Sequence, residues 1–243
     1  EINRVLTDSI SDILFVTEQS ALENLKREGI NSEKVHFVGN VMIDTLIANR
    51  EKARKSDVLE RLRLSPKQYG VITLHRPSNV DDQDTFARII GAFEEIQKEL
   101  KLVFPIHPRT RNNLRGVQLE RRISAMENLL LVEPMGYLDF LCLMSNAALV
   151  ITDSGGIQEE TTILGVPCMT LRENTERPVT ITEGTNCLVR LTTEDILNNY
   201  RRIMHARDKN EGSRIPRLWD GRAAERITRI TADASSGSDI PPI

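Results

Sequence analysis

Residues 150–177 read VITDSGGIQEETTILGVPCMTLRENTER, and the order of residue types in this stretch decides the fold. Residues 148–152 form a short apolar run, the mark of a buried strand. Asp153, Ser154, Gly155 and Gly156 follow, and helical spacing begins near Ile157. A strand that turns through paired glycines into a helix N-terminus builds an anion site. The glycines let a ligand approach the backbone closely, while free N–H groups and the helix dipole face it. Glu159 and Glu160 fall in the first turn, where one carboxylate can also accept from neutral hydroxyls such as a ribose diol. Gly165-Val166-Pro167 stops the helix, residues 167–171 read as the next strand, and Arg172, Glu173, Glu176 and Arg177 crowd the loop beyond. Taken alone, Ser-Gly-Gly reads better as a plain turn ringed by surface charge. The rest of the block changes that.

The alternation extends in both directions. Apolar runs at 71–74, 102–106, 129–132, 149–152, 168–171 and 187–189 are separated by helical spacing at 84–100, 112–122, 137–146 and 157–164. Short apolar strands alternating with helices predict an α/β, Rossmann-like domain with a parallel sheet covered on both faces. Ligands of such sheets bind beyond the carboxyl ends of the strands. That edge gathers His75, His107, Gly136-Tyr137, Ser154 and Arg172, each following a different strand. Upstream, helices are expected at 1–12, 18–28 and 42–55, with strands at 14–17 and 35–38 and Gly29 as a helix stop. Downstream, helices are expected at 193–206 and 222–232, and residues 235–243, rich in Ser, Gly and Pro, read as a flexible tail.

Composition narrows the function classes. The chain has 243 residues, 28% of them charged, with a net charge of only −3, so no global field favours nucleic acid or a membrane surface. No apolar run reaches transmembrane length and no signal-peptide pattern appears, which makes the cytoplasm the expected compartment. Cys142, Cys168 and Cys187 are scattered without metal-ligand spacing and read as small buried residues of a reducing environment. Neither a metal nor a redox cofactor is expected.

His75, in TLHRPSN, stands where strand becomes loop; it either contacts phosphate or transfers a proton, or simply caps the turn. Arg76 beside it can pair with phosphate or with an acidic group across the cleft. His107 and Arg109, in FPIHPRT, sit in a loop whose prolines fix the backbone, and a structural histidine fits there nearly as well. His36 and His205 have no convergent partners. Asp153 reads best as the cap of the helix after it, and Trp219 as packing for the last helix.

The run DSGGIQEE followed by RENTERP closely resembles the nucleotide-binding signature of the non-hydrolysing UDP-N-acetylglucosamine 2-epimerases. The resemblance extends from Glu1 to about Ile230 and matches the second part of such an enzyme, the C-terminal half of a GT-B-type two-domain architecture. It implies residues 1–40 as the remainder of a first domain and the crossover, 41–218 as the UDP-binding domain, and 219–234 as a terminal helix returning to the first domain. Ser154, Gly155 and Gly156 are then implied to donate to the diphosphate, Glu160 to bind ribose, and Arg177 to stand on the phosphate side. Tyr137 or Phe140 is implied to lie against the uracil, though core packing fits either equally. His75 is implied to be functional. Many relatives continue His-Arg-Arg-Glu-Asn where this chain has Pro77-Ser78-Asn79, which leaves the contacts beside His75 open.

The implied reaction interconverts UDP-GlcNAc and UDP-ManNAc: the C2 proton is removed, UDP leaves, and UDP adds back after reprotonation on the other face. The implied setting is a cytoplasmic homodimer serving cell-surface polysaccharide synthesis. The carboxylates that act at C2 belong to the first half in the family, so this chain is expected to hold UDP and not to turn over alone. Other readings are a GT-B-type glycosyltransferase, a hydrolysing epimerase, or a non-catalytic UDP-binding module.

Overall fold

A computed structural model describes residues 1–106, 108–113, 117–206 and 214–235. The expected tail lies outside the described residues from position 236 onward. The described strands are β1 (Leu14–Val16), β2 (Val35–Phe37), β3 (Tyr69–Thr73), β4 (Lys101–Pro105), β5 (Leu129–Val132), β6 (Leu149–Thr152), β7 (Cys168–Leu171) and β8 (Asn186–Val189). The α-helices are α1 (Ile2–Ile10), α2 (Gln19–Arg27), α3 (Val41–Ala53), α4 (Val58–Arg61), α5 (Pro77–Val80), α6 (Gln83–Ile96), α7 (Pro108–Asn113), α8 (Val117–Ser124), α9 (Tyr137–Ser145), α10 (Gly155–Leu164), α11 (Val179–Thr182), α12 (Thr193–Ala206) and α13 (Ala223–Ser235). The chain divides into two compact units, Asn49–Arg214 and Glu1–Ala48 with the described residues from Ile215 onward.

The larger unit holds a six-stranded sheet in the order β5-β4-β3-β6-β7-β8, and every pairing in it is parallel. The chain starts at the centre with β3, winds outward through β4 to β5, returns to the centre at β6, and winds the other way. That is a doubly wound Rossmann order, and the reversal between β3 and β6 opens a crevice at their carboxyl ends. The α/β expectation is met.

Side-chain alternation divides the sheet into two faces of different character. Ile72, Leu74, Leu102, Phe104, Leu149, Ile151, Met169 and Leu171 point one way, into a buried cluster completed by Phe86, Ile89 and Phe93 of α6 and Ile196 and Tyr200 of α12. The other face presents Tyr69, whose hydroxyl donates to the Leu143 carbonyl of α9 at 2.6 Å. It also presents Thr73 and Thr152, whose hydroxyls meet at 2.6 Å, and Thr170. Gly184, before β8, is there because its neighbours leave no room: a Cβ would lie 2.4 Å from the Thr162 hydroxyl and 2.5 Å from the Thr180 carbonyl.

The smaller unit pairs β1 with β2 in parallel, Leu14 opposite Val35. Leu14, Val16, Leu25 and Phe37 form its core. The Trp219 indole is buried and donates to the Thr17 carbonyl at 2.8 Å. The first N–H groups of α13, those of Ala223 and Ala224, donate to the Asp44 carboxylate at 3.1 and 2.6 Å, so a distant carboxylate supplies the cap. Gly39 adopts φ +86 with the Leu218 carbonyl in the space a Cβ would need, which restricts the position to glycine.

Candidate functional site

The site is assembled from the carboxyl ends of β3, β6 and β7. Asp153, the residue after β6, is fully buried. Its carboxylate accepts the backbone N–H of His75 at 3.0 Å and of Arg76 at 2.8 Å, and it lies 2.9 Å from His75 Nδ1. The Arg76 side chain returns the contact, Nε donating to the Asp153 carbonyl at 2.8 Å, and Asn79 Nδ2 donates to the Leu171 carbonyl at 2.9 Å. The loop after β3 is therefore fastened to the ends of β6 and β7. This corrects the sequence reading of Asp153 as the cap of the following helix. The N-cap of α10 is Ser154, with no side-chain cap bond, and the carboxylate serves the neighbouring loop instead. A buried carboxylate goes where the most donors converge, and two N–H groups plus an imidazole outweigh one helix end.

His75 leaves half its side chain exposed (51%), so the ring bridges a buried anion and the crevice. Its pKa is raised, chiefly by the hydrogen bond to Asp153.

Helix α10 begins at Gly155, two residues earlier than spacing suggests, so both glycines lie in its first turn. Nothing lies within 4 Å of where a Gly155 Cβ would stand, so protein packing does not demand this glycine. The N–H groups of Gly155, Gly156 and Ile157 are first-turn donors without helical acceptors. One turn on, Gln158 is fully buried; its Nε2 donates to the Ser154 carbonyl at 3.1 Å. Its Oε1 accepts the Thr175 hydroxyl at 2.7 Å and Asn186 Nδ2 at 3.2 Å. The Thr175 hydroxyl in turn accepts the backbone N–H of Arg177 at 3.0 Å. One glutamine thus ties the helix start to the loop after β7.

Five acidic and basic residues close the site. Arg177 Nε lies 2.5 Å from Glu159 Oε1, whose side chain is buried. Arg172 grips Glu176 with two bonds of 2.9 and 2.7 Å, which holds the Glu176 carboxyl down at about 2. Glu160 is 6% exposed, and burial pushes its carboxyl up to about 7; the Tyr137 hydroxyl, 3.4 Å from Oε1, opposes that rise, and the charge of Glu159 adds to it. Burial likewise lifts the Tyr137 phenol to about 12.

Of the residues singled out in the sequence, His75 and Arg76 are joined through Asp153, Ser154 is held by Thr152 and Gln158, and Glu160 and Tyr137 meet through their shared bond. Arg177 reaches the same helix through Glu159. Phe140, half-buried in α9, makes no polar link to them. Arg109 falls in α7, directly before Thr110, whose hydroxyl donates to the Leu74 carbonyl at 2.7 Å. His107 lies outside the described residues. His36 is buried on β2 with its pKa lowered by burial, and Glu1 pairs with Arg4 at 3.1 Å. Gln158 and Asn186 were not among the residues singled out in the sequence, and Glu159, a candidate there for hydroxyls, pairs with Arg177. The polar type of Gln158 and Asn186 at buried helix and strand positions was the available signal. Among the described residues, no group of three His, Cys, Asp or Glu side chains is placed to hold a metal ion.

A family model described as UDP-N-acetylglucosamine 2-epimerase matches residues 1–232. The UDP-N-acetylglucosamine 2-epimerase of Methanococcus maripaludis is 42% identical over 210 residues, covering 84% of this chain and 57% of that protein. The UDP-2,3-diacetamido-2,3-dideoxy-D-glucuronate 2-epimerase of Pseudomonas aeruginosa is 34% identical, covering 96% and 63%. The crystal structure of Methanocaldococcus jannaschii UDP-GlcNAc 2-epimerase in complex with UDP-GlcNAc and UDP matches with a TM-score of 0.85 at 40% identity, covering 96% of this chain and 64% of that one. The chain spans 57% to 64% of the length of these relatives.

Proposed function

The chain belongs to the UDP-N-acetylglucosamine 2-epimerase family, and from that premise we propose that its six-stranded unit holds the UDP moiety of a UDP-linked 2-acetamido sugar. The diphosphate meets the Ser154 hydroxyl and the first-turn N–H groups of Gly155 and Gly156 at the start of α10, with His75 and Arg76 on one side and Arg177 on the other. Glu160 takes the ribose hydroxyls, and Tyr137 together with Phe140 flanks the base. The observation that carries this reading is the convergence of cationic and N–H donors at the β3/β6 reversal, beside a buried carboxylate suited to a neutral diol.

In the whole protein the proposed reaction is the interconversion of UDP-GlcNAc and UDP-ManNAc without net hydrolysis. Removal of the C2 proton and rupture of the C1–O bond release UDP and leave a 2-acetamidoglucal. Return of UDP and delivery of a proton to the opposite face give the epimer. The residues of this chain act on the leaving group: as negative charge grows on the β-phosphate oxygen, fixed N–H dipoles and cationic side chains stabilise it without reorganising. They also retain UDP between the two halves of the reaction, which favours re-addition over loss. Binding at preformed donors supplies this retention.

Two measurements test the reading. Calorimetric titration of the chain with UDP is expected to show one site, weakened by Arg177→Ala; absence of binding by the intact chain contradicts it. Incubation of the whole protein with UDP-GlcNAc, followed by NMR, is expected to yield UDP-ManNAc. Free N-acetylmannosamine assigns the hydrolysing reaction instead. A homodimeric, cytoplasmic enzyme feeding cell-surface polysaccharide synthesis completes the proposal, and light scattering on the whole protein reads the dimer directly.

A further inference from the structure

The bond between His75 and Asp153 has a consequence for the charge the crevice presents. A neutral imidazole carries one ring proton, and its place is set by the hydrogen bond the other side of the ring makes. Here Nδ1 lies 2.9 Å from a carboxylate with no solvent access, and an anion in that position accepts and never donates. The neutral ring must therefore carry its proton on Nδ1. The charged ring keeps that proton and adds a second on Nε2, the nitrogen left for the crevice. The carboxylate itself is fixed by the backbone N–H groups of His75 and Arg76.

We propose that Asp153 is a positioning residue that holds Nδ1 of His75 and favours the imidazolium, which leaves Nε2–H available to the diphosphate. This rests on the reading that UDP occupies the β3/β6 crevice. The charged groups around the ring are Asp153 at the end of β6, Arg76 in its own loop, and the Arg172–Glu176 pair after β7. The hydrogen bond to Asp153 raises the ring's pKa and the Arg76 charge opposes it. Arg172 and Glu176 largely neutralise each other through their two bonds. The sign follows: attraction from His75 is present below its pKa and lost as pH rises through it. Removing the Asp153 charge lowers that pKa, so the loss begins at lower pH.

The test uses UDP-GlcNAc as probe, because the terminal phosphate of free UDP titrates near pH 6 itself, by analogy with about 6 for a phosphomonoester. Affinity is measured from pH 5.5 to 8.5 for the natural chain, Asp153→Asn and His75→Gln. Asp153→Asn is expected to bind within about twofold of the natural chain at pH 5.5 and about tenfold or more weaker at pH 8, the size of one charge-assisted contact. His75→Gln is expected to lose this dependence, and any slope it keeps belongs to Glu160. Equal weakening of Asp153→Asn at every pH makes Asp153 merely structural and overturns the inference. Should that variant unfold, ¹⁵N-imidazole spectra of the natural chain decide. A His75 that stays protonated on both ring nitrogens to a higher pH than a free imidazole supports the proposal, and one that loses its second proton at or below the free-imidazole pH refutes it. Failure of the natural chain to bind the probe or UDP at any pH sinks the UDP reading, while the spectra still report on the His75–Asp153 pair.

Discussion

On one face of the six-stranded sheet, Ile72, Phe104, Leu149, Ile151 and Met169 meet the apolar sides of α6 and α12. On the other face the same strands present Thr73 and Thr152, bonded to each other, and Thr170, bonded to Asn186 of β8, which in turn meets Gln158 of α10. Strands buried on both sides need only apolar residues to hold a doubly wound sheet together. The polar face therefore does something stability does not require. It fixes the first turn of α10 and the loop carrying Arg177, at the cost of burying groups that must all find partners. One face sets how strongly the unit folds, and the other sets where its donors point.

Substitutions that damage one face and spare the other sharpen this contrast. The largest effect is expected on the apolar side. Phe104→Ala opens a cavity in the main cluster and should lower unfolding stability by about 3–5 kcal/mol in urea titration, with UDP affinity of the folded protein unchanged. A loss of UDP binding before unfolding breaks the division. Glu160→Gln tests the polar side through pH. Burial raises this carboxyl to about 7 from 4.5, so its contribution is fully present below about pH 4.5 and lost as pH rises through 7. The natural chain should lose up to about 3 kcal/mol across that window, at roughly 1.4 kcal/mol per pKa unit, and Glu160→Gln should not. Melting curves at pH 5 and pH 8 read the difference.

Gln158→Leu comes next. It keeps the volume but removes the acceptor of the Thr175 hydroxyl, one acceptor of Asn186 and the side-chain donor to the Ser154 carbonyl, which costs about 2 kcal/mol and should weaken UDP binding more than Phe104→Ala does. Equal UDP affinity in the two variants means the network does not aim the donors. Glu176→Gln has the smallest expected effect. Its carboxylate is 61% exposed, so the loss of the Arg172 pair should stay below about 1 kcal/mol in urea titration.

The strands were legible because each is a short apolar run bounded by turn residues; 149–152 and 168–171 are found as read. The helix expected at 112–122 overlaps α7 and α8, with residues 114–116 outside the described residues, and the short helices α4, α5 and α11 carry too few residues to show a period. Strand order was not readable, since a parallel sheet leaves its sequence no mark of which neighbour lies where. At the site, His75, Ser154 and Glu160 were visible as polar residues at strand ends and a helix start. The roles of Asp153, Gln158 and Glu159 were not, because each partners a residue in another loop: Asp153 reaches 78 positions back to His75. Local spacing assigned Asp153 to its own helix, and only the fold could show the stronger claim on it.

Amide NMR of the chain titrated with UDP tests the central assignment most directly. The account predicts saturable shifts at His75, Arg76, Gly155, Gly156 and Arg177, with β5 and the Trp219 indole unmoved. Shifts confined to the smaller unit, or spread evenly with no saturation at the β3/β6 reversal, contradict it.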